Sequence, residues 1–121
     1  MLASLKTLAA TRVPGKKIAV LADMRELGAA GPEEHARVGK MVRDLGIDYL
    51  LTFGALAMRI HEASGLPQAV HYEQKNMLAE YLAELIAPGD AILVKGSRGM
   101  KMEDVLAFLE ERLRSAVVPF G

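Results

Sequence analysis

Four short apolar runs, at residues 17–22, 49–54, 69–72 and 91–94, constrain this chain most, because between them lie stretches whose apolar residues recur every three or four positions. A run of four to six apolar residues is too short for a helix of its own and suits a strand covered on both faces of a parallel sheet. Strands alternating with amphipathic helices define an α/β fold with right-handed crossovers, a mostly parallel sheet and helices on both faces. Two windings compete. In a Rossmann-like half the strands lie in the order third, second, first, fourth; the alternative is flavodoxin-like. In the first winding the chain reverses between strands one and four, so the loops leaving them face each other across a crevice where such sheets bind ligands.

The helical stripes are equally legible. Leu2, Leu5, Leu8 and Ala9 predict a helix within residues 1–11, stopped by Val13-Pro14-Gly15. Gly31-Pro32-Glu33-Glu34 opens a second, with proline tolerated at its start and two glutamates on the positive end of the dipole. Val38, Met41, Val42 and Leu45 supply its buried stripe, and Gly46 its stop. Further helices run through Leu56 to Ala63, Leu78 to Ile86 and Met102 to Leu113. Ala116-Val117-Val118-Pro119 is expected as a possible extra edge strand, where proline is tolerated.

At 121 residues the whole chain, 1–121, reads as a single domain. A helix that opens at the first residue without a cap suggests a piece of something longer. Lys+Arg 15 balance Asp+Glu 15, so no net field attracts nucleic acid or an anionic membrane. There is no cysteine, which excludes disulfides, thiolate zinc sites and thiol nucleophiles. No apolar run reaches the roughly 18 residues of a membrane span, and the start lacks a secretion signal's layout. A soluble cytoplasmic protein is expected.

Leu93-Val94-Lys95-Gly96-Ser97-Arg98-Gly99-Met100-Lys101-Met102-Glu103 carries the strongest chemical signal. Lys95 and Arg98 offer two cations and Ser97 a hydroxyl. The glycines permit close approach, and the amides of a helix start would suit phosphate or carboxylate. The plain alternative is a tight turn with solvated charges. Asp23, Arg25 and Glu26, in the long connection after the first strand, would face it; the plain alternative there is a capped surface loop. His35 reads as solvated or capping, and His61 and His71 fall on different elements without metal-ligand spacing. Neither G-x-x-x-x-G-K-[ST] nor G-x-G-x-x-G after the first strand is present, and no nucleophile elbow or Cys-His pair exists. No catalytic residue or metal site is assigned to this chain alone.

Val20-Leu21-Ala22-Asp23-Met24-Arg25-Glu26-Leu27-Gly28, with His35 and Val38-Gly39 downstream, the Leu5-Lys6-Thr7-Leu8 helix and the Leu93 to Glu103 stretch resemble the carboxy-terminal domain of the Mur ligase family, in its D-alanyl-D-alanine-adding branch. The family usually has glycine where this chain has Ala22. The resemblance implies an ATP-dependent amide ligase of peptidoglycan precursor synthesis, joining D-alanyl-D-alanine to UDP-N-acetylmuramoyl-tripeptide. An amino-terminal domain would hold the uridine nucleotide and a central domain ATP and Mg2+, both absent here. This domain would close over the central one, with Asp23, Arg25, Glu26, Lys95, Ser97 and Arg98 forming its half of the cleft. In isolation it is expected to be inactive and to bind no cofactor. The competing expectation is a free-standing α/β module that binds a phosphorylated small metabolite in the same crevice.

Overall fold

The computed structural model describes residues 1–116, without the side chains of Glu26, Leu27 and residues 114–116. The suggested edge strand at 116–119 lies outside the described residues. The elements run α1 (Leu2–Ala10), β1 (Lys17–Ala22), α2 (Gly31–Asp44), β2 (Tyr49–Phe53), α3 (Ala57–Ser64), β3 (Ala69–Tyr72), α4 (Lys75–Leu85), β4 (Ala91–Lys95) and α5 (Glu103–Ala116). Every strand is where an apolar run predicted it. The sheet is parallel in the order β3-β2-β1-β4, the Rossmann-like of the two windings.

β1 is central and its side chains alternate between two cores. Ile18, Val20 and Ala22 join Leu51, Leu78, Leu82, Val105 and Leu109 beneath α4 and α5. Ala19 and Leu21 join Leu5, Val38, Val42, Leu50 and Ile60 beneath α1, α2 and α3. Both faces are therefore dry, which is why the strand reads as an unbroken apolar run rather than an alternating one.

Two close approaches set the layers. A β-carbon on Gly39 would overlap the carbonyl oxygen of Ile60 and lie 3.0 Å from Ala63 Cβ, so α2 and α3 cross almost backbone to backbone. At the carboxyl ends of β1 and β4, a β-carbon on Gly96 would come within 2.9 Å of Ala22 Cβ. Only one methyl group fits there. The alanine at position 22 is accommodated because Gly96 faces it.

Candidate functional site

β1 pairs with β2 on one side and β4 on the other, with Leu21 opposite both Thr52 and Lys95. The two loops leaving β1 and β4 therefore emerge side by side at the reversal of the winding. They are stitched together by backbone geometry: the Ser97 amide donates to the Asp23 carbonyl at 2.9 Å, and the Arg25 amide donates to Ser97 Oγ at 2.7 Å. The connection 23–31 is longer than usual for such a loop. It is also folded, since Arg25–Ala30 forms a 3-10 segment with Gly28 at φ 59° as its kink.

Between the loops lies an open crevice of about 620 Å³, lined among others by Arg25, Lys95, Gly96, Ser97, Arg98 and Gly99. Among the described residues its lining has no carboxylate, so three cations and a hydroxyl face one space. That set suits a phosphate or carboxylate, which can take charge-assisted bonds from guanidinium and ammonium groups. The Arg25 guanidinium lies against Gly99, where a β-carbon would stand 3.1 Å from one of its nitrogens.

Of the residues singled out from sequence, Arg25, Lys95, Ser97 and Arg98 come together here. The Asp23 carboxylate does not line the crevice. It is 4% exposed, and its Oδ1 accepts the Ala57 amide at 2.7 Å, at the start of α3. The Glu26 side chain lies outside the described ones. The helix that follows Ser97 directly is not α5. The turn after β4 first makes a 3-10 segment, Arg98–Met100, in which the Met100 amide donates to Ser97 and the Lys101 amide to Arg98, and α5 begins only at Glu103. Those two amides are spent inside the turn rather than aimed at a ligand.

Two supports escaped the sequence reading. His35 is neither solvated nor capping: it is 1% exposed. It stands on the same helical stripe as Val38, Gly39 and Val42, and that spacing was the available signal. Lys75, at the start of α4, donates from Nζ to the carbonyls of Met100 at 3.1 Å and Lys101 at 3.0 Å and to Asp104 Oδ2 at 2.7 Å. It fixes the turn from behind, and its hydrogen bond holds the Asp104 carboxyl below the usual aspartate range. Farther along the sheet, His71 Nδ1 is 2.7 Å from Thr52 Oγ1 and its ring is 6.1 Å from that of His61. Burial, then the neighbouring imidazole, pushes its pKa down. Among the described residues no three His, Cys, Asp or Glu side chains gather to hold a metal, and no helix is long and apolar enough to cross a membrane.

A parallel sheet opening at its winding reversal onto three cations and a hydroxyl defines the chain as an α/β domain suited to an anionic ligand. It belongs to the Mur ligase family: residues 1–98 match the family described as Mur ligase, glutamate ligase domain. The UDP-N-acetylmuramoyl-tripeptide–D-alanyl-D-alanine ligase of Escherichia coli K12 is 39% identical over 113 residues, which cover 92% of this chain and 24% of that enzyme. The MurF ligase of Thermotoga maritima, solved in complex with ADP, is similar at TM-score 0.78 and 29% identity over 94% of this chain and 26% of its own. A separately crystallised domain from Haemophilus ducreyi, assigned to a UDP-N-acetylmuramate:L-alanyl-γ-D-glutamyl-meso-diaminopimelate ligase, shares the fold at TM-score 0.61 and 17% identity, over 92% of this chain and 80% of its own. The chain thus spans about a quarter of the length of the curated relative it matches.

Proposed function

We propose that this domain forms one half of the active cleft of a cytoplasmic ATP-dependent ligase that joins D-alanyl-D-alanine to UDP-N-acetylmuramoyl-tripeptide. The observation that carries this reading is the open crevice: Arg25, Lys95 and Arg98 surround Ser97 on an open surface, with no carboxylate in its described lining and no metal-holding cluster among the described residues. Such a set can hold and orient an anion, while the rest of the chemistry must come from elsewhere. A central domain would bind ATP and Mg2+; among the described residues no cluster of His, Cys, Asp or Glu could hold the metal. An amino-terminal domain would hold the uridine nucleotide.

In that reaction the tripeptide's terminal carboxylate attacks the γ-phosphorus of ATP, releasing ADP and forming an acyl phosphate. The amine of D-alanyl-D-alanine then adds to the acyl carbon, loses a proton, and the tetrahedral intermediate collapses with departure of phosphate. This domain contributes position and electrostatics. Lys95 and Arg98 offset the charge of the phosphate or the dipeptide carboxylate, Ser97 donates a hydrogen bond, and Arg25 closes the same anion site from the other loop. Asp23 fixes the loop through its carbonyl and its buried carboxylate. Closure of the domain over the central one excludes water from the acyl phosphate.

The test is steady-state kinetics of the full-length protein carrying Lys95→Ala or Ser97→Ala, with ATP and tripeptide saturating. We expect kcat/KM for D-alanyl-D-alanine to fall about tenfold or more, the effect of losing a charge-assisted contact. An unchanged value in both variants rejects the assignment.

A further inference from the structure

His35 is the imidazole that packs most deeply, and its two ring nitrogens meet partners of opposite kind. The Met24 amide donates to Nε2 at 2.9 Å, and Nδ1 lies 2.5 Å from the Gly31 carbonyl oxygen. An amide N–H can only donate and a carbonyl can only accept. The ring therefore fits as one species, the neutral tautomer with its proton on Nδ1. Neither the other tautomer nor the imidazolium has a lone pair on Nε2 to offer Met24. Met24 in turn sits between Asp23, whose carbonyl takes the Ser97 amide, and Arg25, whose amide meets Ser97 Oγ. Three consecutive residues of the loop after β1 are thus fastened, the middle one by the histidine and the outer two by the turn after β4.

We infer that His35 is a positioning residue: as the neutral Nδ1–H tautomer it locks the Asp23–Arg25 backbone so that the Arg25 guanidinium faces Lys95, Ser97 and Arg98 across the crevice. The inference rests on the crevice being the ligand site proposed above. It explains why a polar ring occupies a stripe position that a leucine would otherwise fill. The imidazole serves the loop as a side-chain substitute for a backbone hydrogen-bond partner, spanning from the start of α2 to the end of β1.

Two measurements test it separately from the ligase reading. In the 121-residue chain, long-range 1H–15N correlation of the His35 ring should give a protonated Nδ1 and an unprotonated Nε2; the reverse pattern overturns the inference without any mutation. His35→Phe keeps a planar ring and removes both nitrogens. The Met24 and Arg25 amides should then exchange roughly tenfold faster, as expected for one lost hydrogen bond, while amides of β2 and α5 keep their protection. His35→Gln, whose side-chain oxygen can accept from Met24, should restore part of it. Unchanged Met24 and Arg25 protection in His35→Phe overturns the inference. In the full-length protein His35→Phe should raise KM for D-alanyl-D-alanine with KM for ATP unaltered, a split that a loss of packing alone does not produce. If the amides loosen but the dipeptide KM stays put, the lock stands and the dipeptide assignment of the crevice fails.

Discussion

Asp23 ties three loops together, and a single substitution separates its tasks. Its carbonyl serves the turn after β4 whatever the side chain, whereas its Oδ1 accepts the Ala57 amide in a buried spot above Gly54, whose φ of 113° brings the backbone beneath the carboxylate. A buried amide left without an acceptor costs more than the bond itself contributes. Asp23→Ala should therefore destabilise the chain by about 1–3 kcal/mol, read as a lower urea midpoint at constant m-value. Asp23→Asn, which keeps an acceptor oxygen, should cost clearly less. Equal losses in the two variants would mean that charge, rather than the Ala57 bond, is what Asp23 provides. His71 shows the same dependence on neighbours at another point of the sheet: burial and the His61 ring depress its pKa below 6.5, so the folded chain resists a proton that the unfolded chain accepts. This histidine's contribution to stability therefore diminishes as pH falls from 6.5 toward its folded value.

At the level of elements, the contact of α2 with α3 decides how closely these two helices can pack. Gly39 faces the Ile60 carbonyl with no room for a methyl group, and its backbone is ordinary helix, so packing alone demands the glycine. Gly39→Ala gains helix propensity of up to about 1 kcal/mol yet must push α3 away, an overpacking cost of about 1–3 kcal/mol. Packing prevails, and thermal melting should show a net loss of stability; a higher melting temperature would mean that α3 moves freely and that the crossing is soft. The same contrast explains which elements could be foreseen. Strands and helices followed from 17–22, 49–54, 69–72 and 91–94 and from the three-four stripes, because their signals are local. The strand order could be narrowed only to two windings. The 3-10 segment Arg25–Ala30 was hidden because its kink depends on Gly28 alone, and the acceptor role of Asp23 was hidden because Ala57 stands 34 residues away. Charged Glu33, Glu34 and Arg37 around His35 disguised a buried stripe position, and Lys75 reaches Met100, Lys101 and Asp104 only through the tertiary fold. Arg25, Lys95, Ser97 and Arg98 were visible because basic and hydroxyl residues at strand ends are informative wherever the winding reverses.

The molecule as a whole presents its cations on an open surface, and that fixes how it should behave alone. With Arg25 on the loop after β1, Lys95 and Arg98 on the turn after β4, and the crevice between them open to solvent, a bound dipeptide would keep most of its water, and contacts in that dielectric contribute little. Free D-alanyl-D-alanine should therefore bind the 121-residue chain with a Kd weaker than about 1 mM, equivalent to no more than roughly 4 kcal/mol. Its carboxylate should move the amides of residues 24–25 and 95–99 in an NMR titration while leaving the far end of the sheet, around Lys16 and Asp48, unshifted. Because exposed charges carry the contact, raising the salt to about 0.5 M, where the screening length falls below the roughly 8 Å of physiological salt, should abolish the shifts. Micromolar binding of the dipeptide, or shifts centred away from these two loops, would mean that the chain holds a complete site by itself. A phosphorylated metabolite that binds at micromolar concentration and resists salt would mean the same and would favour a free-standing binding module. Weak, salt-sensitive shifts confined to the loop after β1 and the turn after β4 are what half of a cleft should give; under the proposed function the remaining affinity would come from a second domain that closes over the same anion and removes the water.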